Sequence, residues 1–282
     1  MLSAASRLRR LLKSGELLVM PCCYDALSAK LVEQAGFKLT FMSGFAVSAA
    51  RLGLPDTGLI SYGEMVEQGR NICDAVNIPV IGDGDTGYGN AMNVKRTVRG
   101  YGRAGFGCVM IEDQVALKRC GHTIGKQVVD RDEALRRIKA AVDEGKKQNI
   151  LIMARTDARE TEGIEEALYR CQAFAGLGTD IIFLEAPHSI GEMRLFCNRV
   201  FAPKMANMLQ QGRSPVLPPE QLQEIGFQIV AYPLTLISAA VQAMQLALAD
   251  LKKGRYPEHI GFDELKNVIG FPEYDQEEKM YT

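Results

Sequence analysis

Two aspartates stand one residue apart in the glycine-rich stretch Gly82–Asn90. Carboxylates at this spacing, Asp83 and Asp85, can converge on one hard cation such as Mg²⁺, which takes oxygen ligands and keeps several waters. On its own, the stretch is equally compatible with a turn that binds nothing. Asp56 and Glu112 add carboxylates from other segments and favour a metal site. The glycines do not form a dinucleotide fingerprint, because the full pattern at a helix start is missing.

A cysteine surrounded by basic residues lies in the run Lys118-Arg119-Cys120-Gly121-His122. Nearby positive charge stabilises a thiolate and lowers the pKa of the thiol. Such a group can give or take a proton near neutral pH, so we predict that Cys120 is a general acid or base. One alternative is an exposed basic loop with an unpaired cysteine. Another is covalent catalysis, for which no acyl-transfer constellation is present.

Two further segments could bind an anionic substrate. Arg155 presents a planar fork that matches a carboxylate. Its alternative role is an ion pair with Asp157 or Glu185, and both roles can coexist. The segment 207–214, which begins with Asn207, follows the seventh predicted strand, where barrels often bind phosphate or another anion.

Eight short apolar runs alternate with helical segments and would position these residues. Continuous apolar runs are typical of buried parallel strands. Eight strand–helix repeats predict a closed (β/α)8 TIM barrel in preference to a large open sheet. The active site of such a barrel lies at the carboxyl ends of the strands, where the ionisable residues gather. The predicted strands are 17–22, 39–42, 79–82, 108–112, 150–154, 181–185, 204–207 and 229–232.

The helices between these strands carry boundary signals. Ser61 and Glu64 form a capping-box pattern, and Asp130 with Glu133 is its Asp-led equivalent. Pro219 suits the first position of a helix. Glycines that follow helical segments predict left-handed helix ends, namely Gly36, Gly105, Gly178 and Gly226.

Composition narrows the class of protein. The 282 residues are 47% hydrophobic with a formal net charge of -1. Because the sequence contains no linker-like stretch, we predict one catalytic domain, 1–282, with a short N-terminal helix and a C-terminal extension. The lack of a basic stripe argues against nucleic acid as a partner. Seven cysteines in scattered positions predict a reduced, cytoplasmic protein, in which Cys22, Cys23, Cys108 and Cys171 are buried and inert.

Two segments imitate other signals. Met1–Lys13 is basic and free of acids like a transit peptide, but the first strand follows at once. We therefore expect a short amphipathic helix over the lower end of the barrel. The segment 225–249 carries no charge, but Pro233 divides it and glutamines interrupt it, so we expect a strand and a helix rather than a membrane span. A helix that is apolar on most faces must be buried, and a neighbouring subunit is the obvious place.

Several motifs in combination resemble the isocitrate lyase/phosphoenolpyruvate mutase superfamily over about Leu17 to Lys253. The resemblance is closest to the 2-alkylmalate lyase branch, which contains dimethylmalate lyase, 2-methylisocitrate lyase and the plant petal death protein. The motifs are SGFAVSA (43–49), LGLPD (52–56), DGDTG (83–87), IEDQ (111–114), KRCGH (118–122), ARTDA (154–158) and ANM (206–208).

The resemblance implies a Mg²⁺-dependent carbon–carbon lyase, with Mn²⁺ as an alternative metal. It would cleave the C2–C3 bond of a 2-alkylmalate, such as 2,3-dimethylmalate or 2-methylisocitrate, to an α-keto acid such as pyruvate and a carboxylate. Asp83 would hold the metal most directly, and Asp85, Glu112 and Asp56 would act through water. Glu112 is also counted among the catalytic residues.

The resemblance also assigns the substrate and proton-transfer residues. Cys120 would be the acid/base, supported by His122 and Lys118. The keto-acid carboxylate would be bound by the Ser-Gly motif together with Arg155. The residues implied around the substrate are Ser43, Gly44, Phe45, Arg155, Glu185 and Asn207. The family further implies a homotetramer in which the eighth helix is exchanged between subunits.

The sequence departs from the family pattern at two places. Phe41 occupies the position of a tyrosine in related lyases and cannot serve as a base. Gln210 and Gln211 replace a Glu and a Gly, so an uncharged pocket that suits an alkyl group is expected. The alternatives are an oxaloacetate decarboxylase or phosphonopyruvate mutase/hydrolase of the same superfamily, a non-catalytic keto-acid-binding barrel, and a thiol-redox sensor.

Overall fold

Eight parallel strands close into a barrel in chain order, so the predicted (β/α)8 fold is confirmed. The computed structural model describes residues 2–116, 118–119, 121 and 125–282. The strands agree with the predicted runs to within two residues. They are β1 Leu18–Cys23, β2 Thr40–Met42, β3 Val80–Asp83, β4 Cys108–Glu112, β5 Leu151–Thr156, β6 Ile181–Leu184, β7 Lys204–Asn207 and β8 Ile229–Tyr232.

The helices follow the strands as the pattern predicts, with short extra helices in some loops. They are α1 Ala4–Leu12, α2 Ala26–Gln34, α3 Gly44–Leu52, α4 Tyr62–Ala75, α5 Ala91–Arg103, α6 Arg131–Gln148, α7 Ala158–Thr161, α8 Ile164–Gly176, α9 Ile190–Arg199, α10 Pro219–Ile225, α11 Thr235–Lys252, α12 Phe262–Ile269 and α13 Phe271–Glu278.

The chain forms two compact units, Met1–Leu234 and Thr235–Thr282. The first contains the barrel, and the second contains α11, α12 and α13. The assignment of the whole chain to one catalytic domain stays a prediction.

Side chains on each strand alternate between the barrel interior and the surrounding helices, as a closed sheet requires. On β1, Met20 and Cys22 point into the interior cluster, whereas Cys23 joins the cluster beneath the helices. Leu8 of α1 is fully buried in the interior cluster, so α1 covers the amino ends of the strands as expected. Burial of one leucine is worth about 1.5–3 kcal/mol.

The boundary signals are confirmed where the structure tests them. Ser61 and Glu64 form a reciprocal capping box, and the Asp130 carboxylate accepts from the backbone N–H of Glu133. Pro219 is the first residue of α10. The predicted glycines all have positive φ, between 85° at Gly36 and 111° at Gly226.

The long apolar helix after β8 is exposed in the single chain. No residue of α11 is buried, and Leu246 and Leu248 are 63% and 65% exposed. None of the helices in the described part of the chain has both the length and the apolar character of a membrane span. The cytoplasmic location stays a prediction.

Candidate active site

One cavity opens at the carboxyl ends of the strands and contains about 630 Å³ of space, including its mouth. Strand ends and the loops that follow them supply its walls, as in other barrels of this kind. Most of the predicted site residues border it, namely Ser43, Phe45, Asp56, Asp83, Glu112, Lys118, Arg155, Glu185 and Asn207. Gly44 and Asp85 are in direct contact with residues of this set.

Asp83 ends β3 and is buried beside the start of α3. Its Oδ2 accepts a hydrogen bond from the Gly44 N–H at 3.1 Å, and its Oδ1 accepts from the Asp85 N–H at 3.1 Å. A Cβ on Gly44 would lie 2.6 Å from Oδ2, so only glycine permits this approach. Burial, together with the neighbouring Asp85 carboxylate, raises the pKa of Asp83 to about 6.

Lys118 lies between two of the predicted metal-binding carboxylates. Its Nζ is 2.8 Å from Asp56 Oδ1 and 2.5 Å from Asp85 Oδ1. Burial lowers the pKa of Lys118, but the surrounding carboxylates, Asp85 foremost, outweigh burial and hold the pKa well above its usual value. The residue was predicted to support Cys120, and its position adds a contact with the acidic cluster.

Arg155 occupies the other side of the cavity and makes the predicted ion pairs. Its Nε and Nη2 donate to Asp157 Oδ2 and Oδ1 at 2.8 and 2.9 Å. Glu112 lies 3.4 Å from Nη1, and Glu185 lies 3.5 Å from Nε. Since β5 extends to Thr156, Arg155 stands directly opposite Glu112 in the parallel register. Asp157 therefore holds the Nε–Nη2 edge of the guanidinium, while Nη1 is directed at Glu112 of the acidic cluster.

The acidic residues outnumber the basic ones in this network. Six buried carboxylates contact or adjoin three buried cations, which leaves three negative charges in excess if all are ionised. The carboxylates are Asp56, Asp83, Asp85, Glu112, Asp157 and Glu185, and the cations are Lys118, Lys126 and Arg155.

The chemistry of these donors suits a divalent cation that is held partly through water. Buried Glu112 Oε1 accepts no hydrogen bond from the described residues, and burial raises the pKa of Glu112 well above its usual value. Among the described residues, no three His, Cys, Asp or Glu side chains are close enough to bind one ion directly. Magnesium with one direct carboxylate and several waters needs no such triad.

A supporting layer behind Arg155 was missed by the sequence reasoning. Asp113 accepts from Thr156 Oγ1 at 2.6 Å, from the Asp157 N–H at 2.9 Å and from Arg170 Nη1 at 3.0 Å. This buried carboxylate fixes the backbone that carries Asp157. The motif IEDQ contains Asp113, but nothing in its spacing indicates that Arg170, on α8, reaches it.

Three predicted features have other outcomes. Cys120 and His122 lie outside the described residues. Gln210 and Gln211 are exposed and do not border the cavity, so the inference drawn from them about the pocket was wrong in its location. The apolar wall that the structure does provide comes from other residues, namely Phe45, Leu209, Pro233 and Leu234. Anion binding by the segment 207–214 stays a prediction.

The chain is similar to several named enzymes. It is 39% identical to 2,3-dimethylmalate lyase of Eubacterium barkeri, with 100% of this chain and 99% of that protein covered. It is also 39% identical to 2-methylisocitrate lyase of Aeropyrum pernix, with 95% and 88% covered.

Solved structures show the same similarity. Oxaloacetate acetylhydrolase in complex with 3,3-difluorooxalacetate superimposes with a TM-score of 0.96 at 34% identity, covering 99% of this chain and 97% of that one. Phosphonopyruvate hydrolase in complex with oxalate and Mg²⁺ gives a TM-score of 0.88 at 28% identity, covering 99% of each chain.

A family model supports these relationships over most of the chain. The model described as phosphoenolpyruvate phosphomutase matches residues 8–252. The relatives in this comparison are enzymes, and lyases that break carbon–carbon bonds are prominent among them. The chain is therefore an enzyme of the carbon–carbon lyase class and belongs to the phosphoenolpyruvate mutase/isocitrate lyase superfamily.

Proposed function

We propose that the protein is a Mg²⁺-dependent lyase that cleaves the C2–C3 bond of a 2-alkylmalate, with 2,3-dimethylmalate as the favoured substrate. The observation that carries the proposal is the division of one cavity into an acidic side around Asp83, the Nη1 group of Arg155, which Asp157 does not bind, and an apolar wall. Each part matches one group of the substrate. The acidic side would hold the cation that the C2 hydroxyl needs, Arg155 would bind a carboxylate, and the apolar wall would contact an alkyl group.

The substrate would bind across these three parts. The Ser43 hydroxyl and Arg155 Nη1 would hold the carboxylate beside C2 through hydrogen bonds, the latter charge-assisted, and Gly44, whose N–H donates to Asp83, would lie at the same end of the cavity. Phe45, Leu209 and their neighbours would bury an alkyl substituent. Arg119 also borders the cavity, so 2-methylisocitrate, with its third carboxylate, is the second candidate substrate.

The acidic side would hold Mg²⁺, with Asp83 in direct contact and Asp85, Glu112 and Asp56 acting through water. The solved phosphonopyruvate hydrolase complex, which contains Mg²⁺, supports this choice of ion. When bound, a divalent cation supplies positive charge that stabilises the oxyanion developing at C2. Mn²⁺ satisfies the same oxygen ligands and is the alternative metal.

The chain's own residues would manage the proton and the carboxylates. Glu112, whose Oε1 accepts no hydrogen bond from the described residues, would take the proton of the C2 hydroxyl, and the electrons of that O–H bond would form the C2=O bond of the keto acid. The C2–C3 bonding pair passes to C3 and its carboxylate, which gives an enediolate. We assign the proton delivered to C3 to the Cys120 thiol, with His122 and Lys118 in support, on the basis of the sequence motif.

A substrate panel tests the proposal. Protein with Mg²⁺ is incubated with 2,3-dimethylmalate, other 2-alkylmalates, 2-methylisocitrate, oxaloacetate and phosphonopyruvate, while keto acids are followed with lactate dehydrogenase. We expect pyruvate from 2,3-dimethylmalate and a smaller rate from 2-methylisocitrate. Absence of keto acid from every C2-substituted malate would refute the lyase assignment.

The close structural match to oxaloacetate acetylhydrolase supports a second candidate, hydrolysis of the C–C bond of oxaloacetate. Water would then add to the C2 carbonyl of oxaloacetate, and the C2–C3 bond of this hydrate would break to give oxalate and, after protonation of C3, acetate. The same panel separates the two activities when oxalate is also measured, because oxalate from oxaloacetate without pyruvate from any malate indicates the hydrolase.

We also infer a homotetramer in which α11 packs against a neighbouring subunit, because this apolar helix has no buried residue in the single chain.

Leu246→Asp with Leu248→Asp should raise the dissociation constant of the assembly by about 100-fold or more, since each buried leucine contributes about 1.5–3 kcal/mol. Light scattering after size exclusion measures the mass. Phe201→Asp, at a residue 92% exposed in the first unit, is the control, and an unchanged mass in the double variant would contradict the inference.

A further inference from the structure

A buried lysine that does not border the cavity connects two parts of the site. The Lys126 side chain is 0% exposed, and its Nζ donates to the Gly121 carbonyl at 2.6 Å and to Asp157 Oδ1 at 2.9 Å. Asp157 is the carboxylate that holds the Arg155 fork. One ammonium group therefore joins the backbone next to Cys120 in the sequence to the anchor of the substrate-binding arginine.

The backbone at Gly121 lies directly against the other residues of the site. A Cβ at this position would lie 2.5 Å from Arg155 Nη2 and 2.7 Å from Glu185 Cδ. Gly121 therefore packs closely against Arg155 and Glu185 with no room for a side chain, and the Lys126 hydrogen bond holds its carbonyl. A charge-assisted hydrogen bond of this kind is stronger than a neutral one and is worth most where water is excluded.

Other hydrogen bonds also hold the loop between β4 and α6, but they do not connect Gly121 to Asp157 as Lys126 does. Gln114 exchanges side-chain hydrogen bonds with the Arg119 backbone at 2.9 and 3.0 Å, and Gln114 pairs with Val128 in an antiparallel bridge. These contacts hold the two ends of the loop. Among the described residues, Lys126 is the side chain that ties Gly121 to the layer beneath Arg155.

We propose that Lys126 is a positioning residue, which sets the distance between the backbone at Gly121 and the Arg155–Asp157 pair and thereby places the adjacent Cys120 relative to the bound carboxylate. It touches neither substrate nor metal in this assignment. The kinetic part of the inference rests on the proposed lyase function, whereas the placement of Cys120 can be measured without turnover.

The test is Lys126→Met, which keeps the length of the side chain and removes its charge and donors. We expect kcat to fall by about 10- to 100-fold with KM within about threefold, because Arg155 keeps both hydrogen bonds to Asp157 while the reacting groups lose their alignment. A role limited to stability would lower the melting temperature and leave kcat per folded molecule unchanged.

Lys204→Met is the matched control. Lys204 is also buried, and it donates to the carbonyls of Val200 and Ala202 at 3.0 and 2.8 Å, at the amino end of β7 and away from the site. Lys126→Gln, which keeps one neutral donor, should retain part of the wild-type kcat. It also serves as the test variant if Lys126→Met does not fold.

A second readout does not depend on the substrate. The rate at which iodoacetamide modifies Cys120, followed by peptide mass spectrometry, should change by about fivefold or more in the Lys126 variant, since a thiolate responds to its neighbouring charges and access. Cys108 and Cys171, which are buried, should stay unmodified and thereby show that the variant is folded. If no substrate of the panel is cleaved but the rate of Cys120 modification differs between the wild type and the Lys126 variant, the lyase proposal is overturned and the positioning role is kept. Kinetics and modification rates equal to those of Lys204→Met would overturn the positioning role itself.

Discussion

Asp83→Asn is expected to lower kcat/KM for keto-acid release by about a thousandfold or more, because charge stabilisation by a bound cation is worth several kcal/mol. Asparagine has nearly the same shape and keeps one oxygen to accept from the Gly44 or Asp85 N–H, so the barrel should still fold. What it lacks is the negative charge that we assign to direct metal contact. Activity is measured as pyruvate release at saturating Mg²⁺.

The pH dependence gives a second readout of the same variant. The pKa of Asp83, about 6 in the folded protein against 3.8 ordinarily, favours the protonated form on folding. Ionisation of Asp83 therefore lowers the free energy of unfolding of the metal-free protein. This loss of stability is absent below pH 3.8 and develops as the pH rises through 6. A divalent cation that pairs with the ionised form offsets the loss. The rise in melting temperature produced by Mg²⁺ should be full above pH 6 and fade as the pH falls below it.

In Asp83→Asn this Mg²⁺-dependent rise should disappear at every pH. Asp143→Asn, which removes an exposed carboxylate paired with Lys139 on α6, is the matched control and should keep both activity and the Mg²⁺ response. Wild-type turnover by Asp83→Asn would remove the residue from the metal site. Loss of turnover with an unchanged Mg²⁺ response would assign it a role other than metal binding.

The architecture follows from features that are local in the sequence. Apolar runs indicate strands, and glycines such as Gly36 and Gly226 indicate helix ends, from the neighbouring residues alone. Eight repeats of strand and helix can bury a common core in only a few architectures. The same rule places Asp83, Glu112 and Arg155 at one end of the barrel before any distance is known, because the strands are parallel and their carboxyl ends meet.

Contacts between loops could not be inferred in this way. Lys126 and Asp157 are 31 positions apart, and Asp113 and Arg170 are 57 apart. Strand order brings the segments near each other, but the conformations of the loops and long side chains decide which lysine reaches which carboxylate. Lys118 illustrates this. Its charge and position in the sequence predict that it supports proton transfer by Cys120, whereas the fold also places its ammonium group between Asp56 and Asp85.

The glutamines show why a motif position can mislead. Gln210 and Gln211 follow β7 and are expected from the sequence to line the pocket, yet both are exposed, and Gln211 adopts a φ of 60°. The two glutamines form a turn that does not border the cavity, whereas the preceding Leu209 does. The uncharged wall comes instead from Phe45, Leu209 and the segment after β8, which only the closed barrel brings together.

Cys120→Ser is expected to reduce kcat for the lyase by about 10²- to 10⁴-fold, the usual range for one acid/base group. A serine hydroxyl is a much weaker acid than a thiol, so it delivers a proton to C3 slowly, although it is almost the same size. Mg²⁺ should still raise the melting temperature, since no predicted metal ligand is altered. Cys73→Ser and Cys197→Ser, at partly buried cysteines on α4 and α9, are the controls and should retain activity.

The position of the label in D₂O distinguishes a proton donor from a residue that only maintains the pocket. If the group at position 120 protonates C3 on one face, wild-type cleavage of 2,3-dimethylmalate yields propionate with deuterium in a single configuration at that carbon. In Cys120→Ser, water would replace the thiol as donor, and the residual product should carry deuterium in both configurations. Slow turnover that keeps a single configuration would mean that another residue delivers the proton, and undiminished turnover would remove Cys120 from the mechanism.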